Sequence, residues 1–82
     1  PMSANTFLAQ RLGISVSQVR TLKRKIELAA KVQEAEHNEP HAPNSDEATG
    51  AVQAYANKLG YGVVWPGLYP ILTKGEQQFH LY

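Results

Sequence analysis

The spacing of apolar residues predicts a short helix near the amino terminus, over residues 6–12. Its apolar side chains recur at helical spacing and fall together on one side, with polar side chains between them. Gly13 ends the helix, because glycine readily adopts the left-handed conformation that closes many helices. The candidates for its cap are Ser3, Asn5 and Thr6, and its apolar residues are Phe7, Leu8 and Leu12.

A second helix is predicted to begin at Ser15. Residues 15–18, Ser-Val-Ser-Gln, match the capping box, in which the first and last side chains each bind a free backbone N–H. No helix breaker follows before Pro40, so we expect this helix to continue through Lys31 toward His37. An apolar stripe along it either packs within the chain, which we favour, or forms a coiled-coil dimer seam. The stripe consists of Leu22, Ile26 and Ala29 and ends at the polar residue Gln33.

A third helix is predicted between Asn44 and Gly60. Residues 44–47, Asn-Ser-Asp-Glu, are a second match to the capping box, and Gly60 supplies a stop signal. Apolar residues between these limits again recur at helical spacing, which gives the helix one face to bury. They are Val52, Tyr55, Ala56 and Leu59.

Beyond Gly60 the pattern changes to short segments separated by turn signals, which predicts a small antiparallel hairpin or meander. The segments are 62–65, 68–73 and 77–81, and the turn signals are Pro66-Gly67 and Lys74-Gly75. The last segment alternates, with Phe79 and Leu81 on one face and Gln78, His80 and Tyr82 on the other. Helices followed by strands predict an α+β fold.

A chain of 82 residues supports one hydrophobic core but not two. Three regions differ in pattern: a helical region 1–38, a linker 39–45 that contains prolines, and a region 46–82 with one helix and the strands. We expect the first and last regions to pack together as one domain.

The composition favours a soluble cytoplasmic protein without a cofactor. Hydrophobic residues make up 43% of the chain and charged residues 18%, which is ordinary for a folded protein. There is no cysteine, so disulfide scaffolds and cysteine zinc sites are excluded. The longest apolar stretch, 62–72, is too short to span a membrane and contains two prolines, and no signal-peptide pattern precedes it.

Charge is unevenly distributed along the chain, although the total is only +1. Residues 1–31 hold six basic residues and one acidic residue, Glu27, for a net charge of +5. Residues 32–50 hold five acidic residues and no basic one. Because local charge steers the choice of partner, the basic amino-terminal region favours an anionic partner.

The segment Asn5 to Arg24 resembles the helix-turn-helix of bacterial and phage DNA-binding proteins. Ala9 is small where the two helices cross, and Gly13 permits the left-handed turn between them. Five apolar residues match the seam that holds the helix pair together. They are Leu8, Leu12, Ile14, Val19 and Leu22, and the resemblance covers 20 of the 82 residues.

This resemblance implies that double-stranded DNA is the partner and that the second helix enters the major groove. Arg20 and Arg24 are then the base readers, because arginine donates two hydrogen bonds to guanine. Ser17 and Thr21 on the same face reach base edges or phosphates. The residues that attract phosphate are Arg11, Lys23, Lys25 and Lys31.

One feature departs from the family pattern, because most such folds carry a helix before the pair and this pair starts almost at the amino terminus. The third helix of the core must then come from residues 46–59 or from a partner in a homodimer. With the strands behind that helix acting as a wing, the fold would be winged-helix-like.

We therefore interpret the chain as a sequence-specific DNA-binding protein, a small bacterial or phage transcriptional regulator, with residues 15–24 as its recognition helix. The alternative is a phage-type interaction or inhibitor module that binds a protein through the helix pair or the Trp65 surface. A third interpretation is an accessory of DNA packaging or replication. No catalytic motif is present, so we do not expect an enzyme.

Two further groups of residues favour structural roles. His37 and His41 are four residues apart near several glutamates, but Pro40 between them prevents a shared helix face, which argues against a metal site. The aromatic residues of the last region are expected to lie mostly in the core, with Trp65-Pro66-Gly67 as the exposed patch. They are Tyr61, Trp65, Tyr69 and Tyr82.

Overall fold

Within residues 2–39 and 44–82, which the computed structural model describes, three α-helices precede a three-stranded antiparallel sheet. The protein therefore has the predicted α+β fold. The helices are α1 (Ala4–Leu12), α2 (Val16–Asn38) and α3 (Asp46–Lys58), and the strands are β1 (Gly62–Val64), β2 (Ile71–Lys74) and β3 (Gln77–His80).

Local signals set the turn between α1 and α2 as predicted. Ser3 caps α1 with its hydroxyl, and Gly13 ends the helix with a φ of +70°, in the left-handed region. The Ser15 hydroxyl accepts a 3.0 Å hydrogen bond from the Gln18 N–H, and the Gln18 side-chain oxygen accepts one of 2.9 Å from the Ser15 N–H. The capping box predicted at residues 15–18 is confirmed.

Helix α2 is 23 residues long and ends at Asn38, which confirms its predicted continuation past Lys31. Its far end is held by other parts of the chain. The Gln33 side-chain amide donates a 3.4 Å hydrogen bond to the Leu68 carbonyl. The Glu36 carboxylate accepts a hydrogen bond from the Ser45 N–H, next to the start of α3.

Helix α3 has nearly the predicted bounds, but its amino terminus differs from the reciprocal capping box predicted at residues 44–47. Ser45 occupies the cap position and its hydroxyl makes no capping hydrogen bond. The Asn44 side-chain oxygen instead accepts a 2.7 Å hydrogen bond from the Asp46 N–H. The cap lies one residue later than predicted, so Ala48, which has no acceptor side chain, stands at the third helical position. The Glu36 carboxylate of α2 binds the N–H of the cap residue Ser45 instead.

The strands form a meander in the order β1-β2-β3, with each neighbouring pair antiparallel. Lys74 pairs with Gln77 around a two-residue turn, and Gly75 at its first position has a φ of +60°, which favours glycine. Strand β2 begins three residues later than the predicted segment 68–73, because residues 66–69 form bends and Pro70 has no N–H for a ladder.

One hydrophobic core joins α1, α2, α3 and the sheet. The apolar seam of the helix pair lies in it, with Ile14 half-buried at its edge, and Leu22, Ile26 and Ala29 are fully buried against the chain's own residues. That stripe therefore packs within the chain, and α3 supplies the third helix that the pair lacks. The buried members of the core are Leu8, Ala9, Leu12, Val19, Leu22, Ile26, Ala29, Val52, Ala56, Tyr61, Leu72 and Leu81.

The prediction that Phe7 falls on one side of α1 together with Leu8 and Leu12 is wrong. Its side chain is 53% exposed, whereas Leu8 and Leu12 are buried. Phe7 precedes Leu8 on the helix and lies outside the strip that faces α2, where the Arg11 guanidinium sits 5.9 Å from its ring centre. Phe7 therefore makes a cation–aromatic contact with Arg11 instead of packing in the core.

The predicted burial of most aromatic residues in the last region is also wrong. Tyr61 is buried and Trp65 is half-buried, but Tyr69 and Tyr82 are exposed. Their rings contact each other at an interplanar angle of 54° with centres 4.9 Å apart, so each covers part of the other outside the core. His80 is exposed on β3, as the alternating pattern predicts.

In the described ranges, no helix is both long enough and apolar enough to cross a membrane.

Candidate nucleic-acid interface

The side of α2 that faces away from the core carries the predicted base readers. Arg20 and Arg24 are exposed one turn apart, and the Arg24 Nε donates a 3.4 Å hydrogen bond to the Arg20 carbonyl. Ser17 is exposed and Thr21 is half-buried on the same side. The opposite side of the helix packs in the core through Val19, Leu22 and Ile26, each with no exposed surface.

Arg20 and Arg24 border a shallow hollow of about 240 Å³ between α1 and α2, here called the basic hollow. Three of its five lining residues are cations and one is an acid, so the hollow is positively charged. Asn5 lies in the first turn of α1, where unpaired N–H groups and the helix dipole also favour an anion. The lining residues are Asn5, Arg20, Lys23, Arg24 and Glu27.

Tyr82 closes one side of this region by contacting two of the residues that line the basic hollow. Its hydroxyl lies 3.2 Å from a Glu27 carboxylate oxygen and 3.4 Å from the Lys23 carbonyl. The Lys23 ammonium lies 5.1 Å from the centre of the Tyr82 ring. Partial burial, and then the negative charge of Glu27, raise the pKa of Tyr82 above its usual value. The phenol therefore stays protonated and can donate to Glu27, the single acid of residues 1–31.

Three predicted phosphate-binding residues lie away from the basic hollow. The Arg11 guanidinium is 5.5 Å from the Phe79 ring centre on β3, so it spans the gap between α1 and the sheet. The Lys25 ammonium is 5.6 Å from the Tyr55 ring centre on α3, and Lys31 is exposed farther along α2. Of the eight predicted DNA-binding residues, the hollow brings together Arg20, Lys23 and Arg24, with Ser17 and Thr21 on the same helix.

The sequence patterns do not identify three members of this region. Asn5 is the first residue of the helix-turn-helix segment, but no DNA contact is predicted for it. Glu27 is identified only as the acidic residue among the cations. Tyr82 is predicted with the core aromatic residues. No local signal identifies the Tyr82 contact, because it joins residues 55 positions apart in the chain.

The charges on α2 run against those that stabilise an isolated helix. Negative residues favour a helix amino terminus and positive ones its carboxyl terminus, by about 0.3–1 kcal/mol each. The first turn of α2 has no charged residue, and its three acids are Glu27 at the middle of the helix and Glu34 and Glu36 in the carboxyl-terminal half. The cations of the first half begin at Arg20, one turn after the helix start, so the positive potential there comes from their own charges rather than from the helix dipole.

A second surface lies around the predicted Trp65-Pro66-Gly67 patch. Pro66 and Gly67 are exposed, while Trp65 is half-buried against the core. The adjacent hollow, here called the aromatic hollow, has a volume of about 230 Å³. It is lined by Pro66, Tyr69, Pro70, Ile71, His80, Leu81 and Tyr82, so Trp65 itself does not line it.

Among the described residues, no group of three or more histidine or acidic side chains lies close enough to share a metal ion. His37 is exposed near the end of α2. His41, the other histidine of the predicted pair, and Pro40 between them lie outside the described residues.

No protein-family model, curated protein or solved structure matches this chain.

Proposed function

We propose that the protein binds double-stranded DNA with the amino-terminal half of α2 and acts as a small sequence-specific regulator of bacterial or phage type. The observation that carries the proposal is the basic hollow, where Arg20, Lys23 and Arg24 gather beside the amino terminus of α1. Such a cluster suits a phosphate group, and the neighbouring exposed arginine side chains suit guanine edges.

The clustering of these cations supports a functional reason for them. Arg20, Lys23 and Arg24 lie in the first half of α2 and gather on one surface that has a single acid, Glu27. Long-range attraction of a polyanion is the use that such a surface serves best.

The sheet has a bracing role in this proposal, as the wing of a winged-helix-like fold does. The contact between Arg11 and Phe79 links α1 to β3, and Tyr82 links the end of the chain to Lys23 and Glu27. These contacts hold the two helices from one side and leave the Arg20 and Arg24 side chains exposed.

Titration of a fluorescent random duplex at several salt concentrations tests the proposal. We expect binding to weaken with salt, with the logarithm of the affinity falling by about 0.9 per phosphate neutralised for each tenfold increase in salt. On this random duplex the double variant Arg20→Ala/Arg24→Ala should bind more weakly and with a shallower salt dependence, because it has lost two cations. On a preferred site it should lose about 2–6 kcal/mol of binding, at about 1–3 kcal/mol for each arginine that reads a base.

Lys58→Ala/Lys74→Ala is the matched control, because it also removes two exposed cations but leaves the basic hollow intact. It should keep most of the affinity. If the two double variants lost the same amount of binding free energy, the loss would reflect only the lower net charge of the protein. That result would contradict a defined DNA interface at the basic hollow. Selection of a preferred site from a pool of random duplexes then tests sequence specificity, and recovery of no preferred site would contradict it.

The aromatic hollow favours the second candidate function, a protein-interaction module. Tyr69 and Tyr82 are 46% and 58% exposed, and tyrosine is enriched at the centres of protein interfaces. If the wild-type protein fails to bind duplex DNA at low salt, this function takes precedence. A protein partner captured by the wild type should then be lost in Tyr69→Ala, while Arg20→Ala/Arg24→Ala retains it.

A further inference from the structure

An apolar groove with a volume of about 270 Å³ lies between the exposed sides of α2 and α3. Leu28 lies on its border at the middle of α2, and its side chain is 59% exposed. The solvent-facing side of a helix usually carries polar or charged residues, so Leu28 leaves an unusual amount of apolar surface in water. Val32 and Ala48 beside it are half-buried. The groove is lined by Leu28, Val32, Asn44, Glu47, Ala48 and Ala51.

The two helices that form the groove run in opposite directions. Lys25, in the first half of α2, lies over Tyr55, near the end of α3. Glu36, near the end of α2, binds the N–H of Ser45, just before α3 begins. Each helix is basic at one end and acidic at the other, and the antiparallel arrangement brings like ends together.

One end of the groove is therefore basic and the other acidic, with apolar side chains between them. Lys25 of α2 and Lys58 of α3 lie toward the basic end. Glu36 of α2 and Glu47 of α3 lie toward the acidic end. A surface of this kind is complementary to itself after a half-turn, because the rotation places each basic end on an acidic end.

We propose that a second copy of this chain occupies the groove, related to the first by a two-fold axis near Leu28. In such an interface each contact occurs twice, so Lys25 of each copy faces Glu47 of the other. Leu28 and Val32 of the two copies cover each other at the centre. DNA is a poor occupant, since Glu36 and Glu47 repel phosphate at the acidic end.

This dimer does not depend on the proposed DNA binding. The groove and the basic hollow share no lining residue, although both border α2. Leu28 and Val32 line the first, and Arg20 and Lys23 line the second. Self-association is therefore measured without DNA, and its outcome leaves the DNA proposal untouched.

Sedimentation velocity from micromolar to millimolar protein tests the dimer. We expect a reversible monomer–dimer equilibrium that weakens as salt rises, because the groove ends carry exposed charges. Leu28→Asp should weaken the association at least about tenfold, the equivalent of about 1.4 kcal/mol. Met2→Asp is the control, since Met2 is also an exposed apolar residue but lies outside the groove, and it should associate as the wild type does.

A charge exchange gives the sharper test. Lys25→Glu alone places two carboxylates against each other twice in a dimer, and Glu47→Lys alone places two ammonium groups together twice. Each single variant should therefore associate more weakly than the wild type. An equimolar mixture of the two should form a heterodimer in which both charge pairs are attractive, one in the wild-type orientation and one with the charges exchanged. Its association should therefore exceed that of either variant alone.

Circular dichroism of each single variant checks that its chain is folded before mixing. With both chains folded, the mixing experiment tests the charge pairs even if one variant is less stable than the wild type. A wild-type chain that remains monomeric at millimolar concentration would overturn the proposal. So would single variants that associate as strongly as the wild type, or a mixture that associates no better than its components.

Discussion

The hydroxyl of Tyr61 donates a 2.6 Å hydrogen bond to the backbone carbonyl of Leu12, the last residue of α1, across 49 positions of the chain. A helix end leaves carbonyl groups without partners in the helix, and a buried one is costly if nothing binds it. Tyr61 also meets Phe79 edge to face, with ring centres 5.5 Å apart. One side chain thus satisfies the end of α1 and packs it against the sheet.

Replacement of this tyrosine by phenylalanine should destabilise the protein by about 1–3 kcal/mol, because the Leu12 carbonyl stays buried and loses its donor. Urea unfolding followed by circular dichroism measures the change. Tyr69→Phe removes the same hydroxyl from an exposed ring and should stay within about 0.5 kcal/mol of the wild type. Equal effects of the two substitutions would show that the buried hydrogen bond contributes nothing.

The contact between Tyr61 and Leu12 also marks the limit of what the sequence predicts. The start of α2 follows from Ser15 and Gln18, because both partners of the capping box lie within one turn. The exposure of Phe7 does not follow, since it depends on how α1 is rotated against α2. Nor does the position of Tyr82, which is determined by where the sheet ends relative to α2.

The candidate site has the same limit. The alternation of buried and exposed positions along α2 identifies Arg20 and Arg24 as an exposed pair, and both are exposed in the structure. Periodicity gives the direction of a side chain from its own helix but not what lies beyond it. Lys25 and Lys23 therefore look equivalent in the sequence, although one contacts α3 and the other the end of the chain.

Two glycine substitutions should change stability in opposite directions. Gly13→Ala forces alanine into a left-handed conformation, with a φ of +70°, and should cost about 1–2 kcal/mol. Gly50→Ala, inside α3, should stabilise the protein by about 0.5–1 kcal/mol, because alanine favours the helix. A methyl group would meet no other atom within 4 Å at either position, so the backbone alone decides. Thermal or urea unfolding measures both, and a loss of stability in Gly50→Ala would contradict this expectation.

Two leucines of α2 should differ sharply when each is replaced by alanine. Leu22 is fully buried in the core, so Leu22→Ala removes apolar contacts and leaves a cavity, at a cost of about 2–5 kcal/mol. Leu28 is 59% exposed, and Leu28→Ala should change stability by less than about 1 kcal/mol. The comparison is made at a concentration where sedimentation velocity shows both variants and the wild type to be monomeric. A large loss in Leu28→Ala under those conditions would mean that Leu28 packs within its own chain.

The titration of Tyr82 should respond to Glu27. Partial burial raises the pKa of the phenol and the carboxylate raises it further, so Glu27→Gln should lower the pKa without restoring the ordinary value near 10.0. Because the raised pKa favours the protonated phenol in the folded state, its contribution to stability is complete below pH 10.0 and is lost as pH rises through the folded-state pKa. Carbon-13 NMR of labelled tyrosine follows the phenol directly. An unchanged Tyr82 titration in Glu27→Gln would exclude the contact.

Two serines at the start of α2 should separate the stability of the helix from its proposed function. The Ser15 hydroxyl accepts from the Gln18 N–H, so Ser15→Ala should destabilise the protein by about 1 kcal/mol, the usual value of a lost helix cap. Ser17 is exposed on the proposed DNA-binding face, and Ser17→Ala should leave stability within about 0.5 kcal/mol. In duplex titrations at a temperature where both variants are folded, Ser17→Ala should nevertheless bind more weakly than the wild type. If Ser17→Ala binds as the wild type does while Ser15→Ala is destabilised, the helix start is as described and Ser17 contributes no DNA contact.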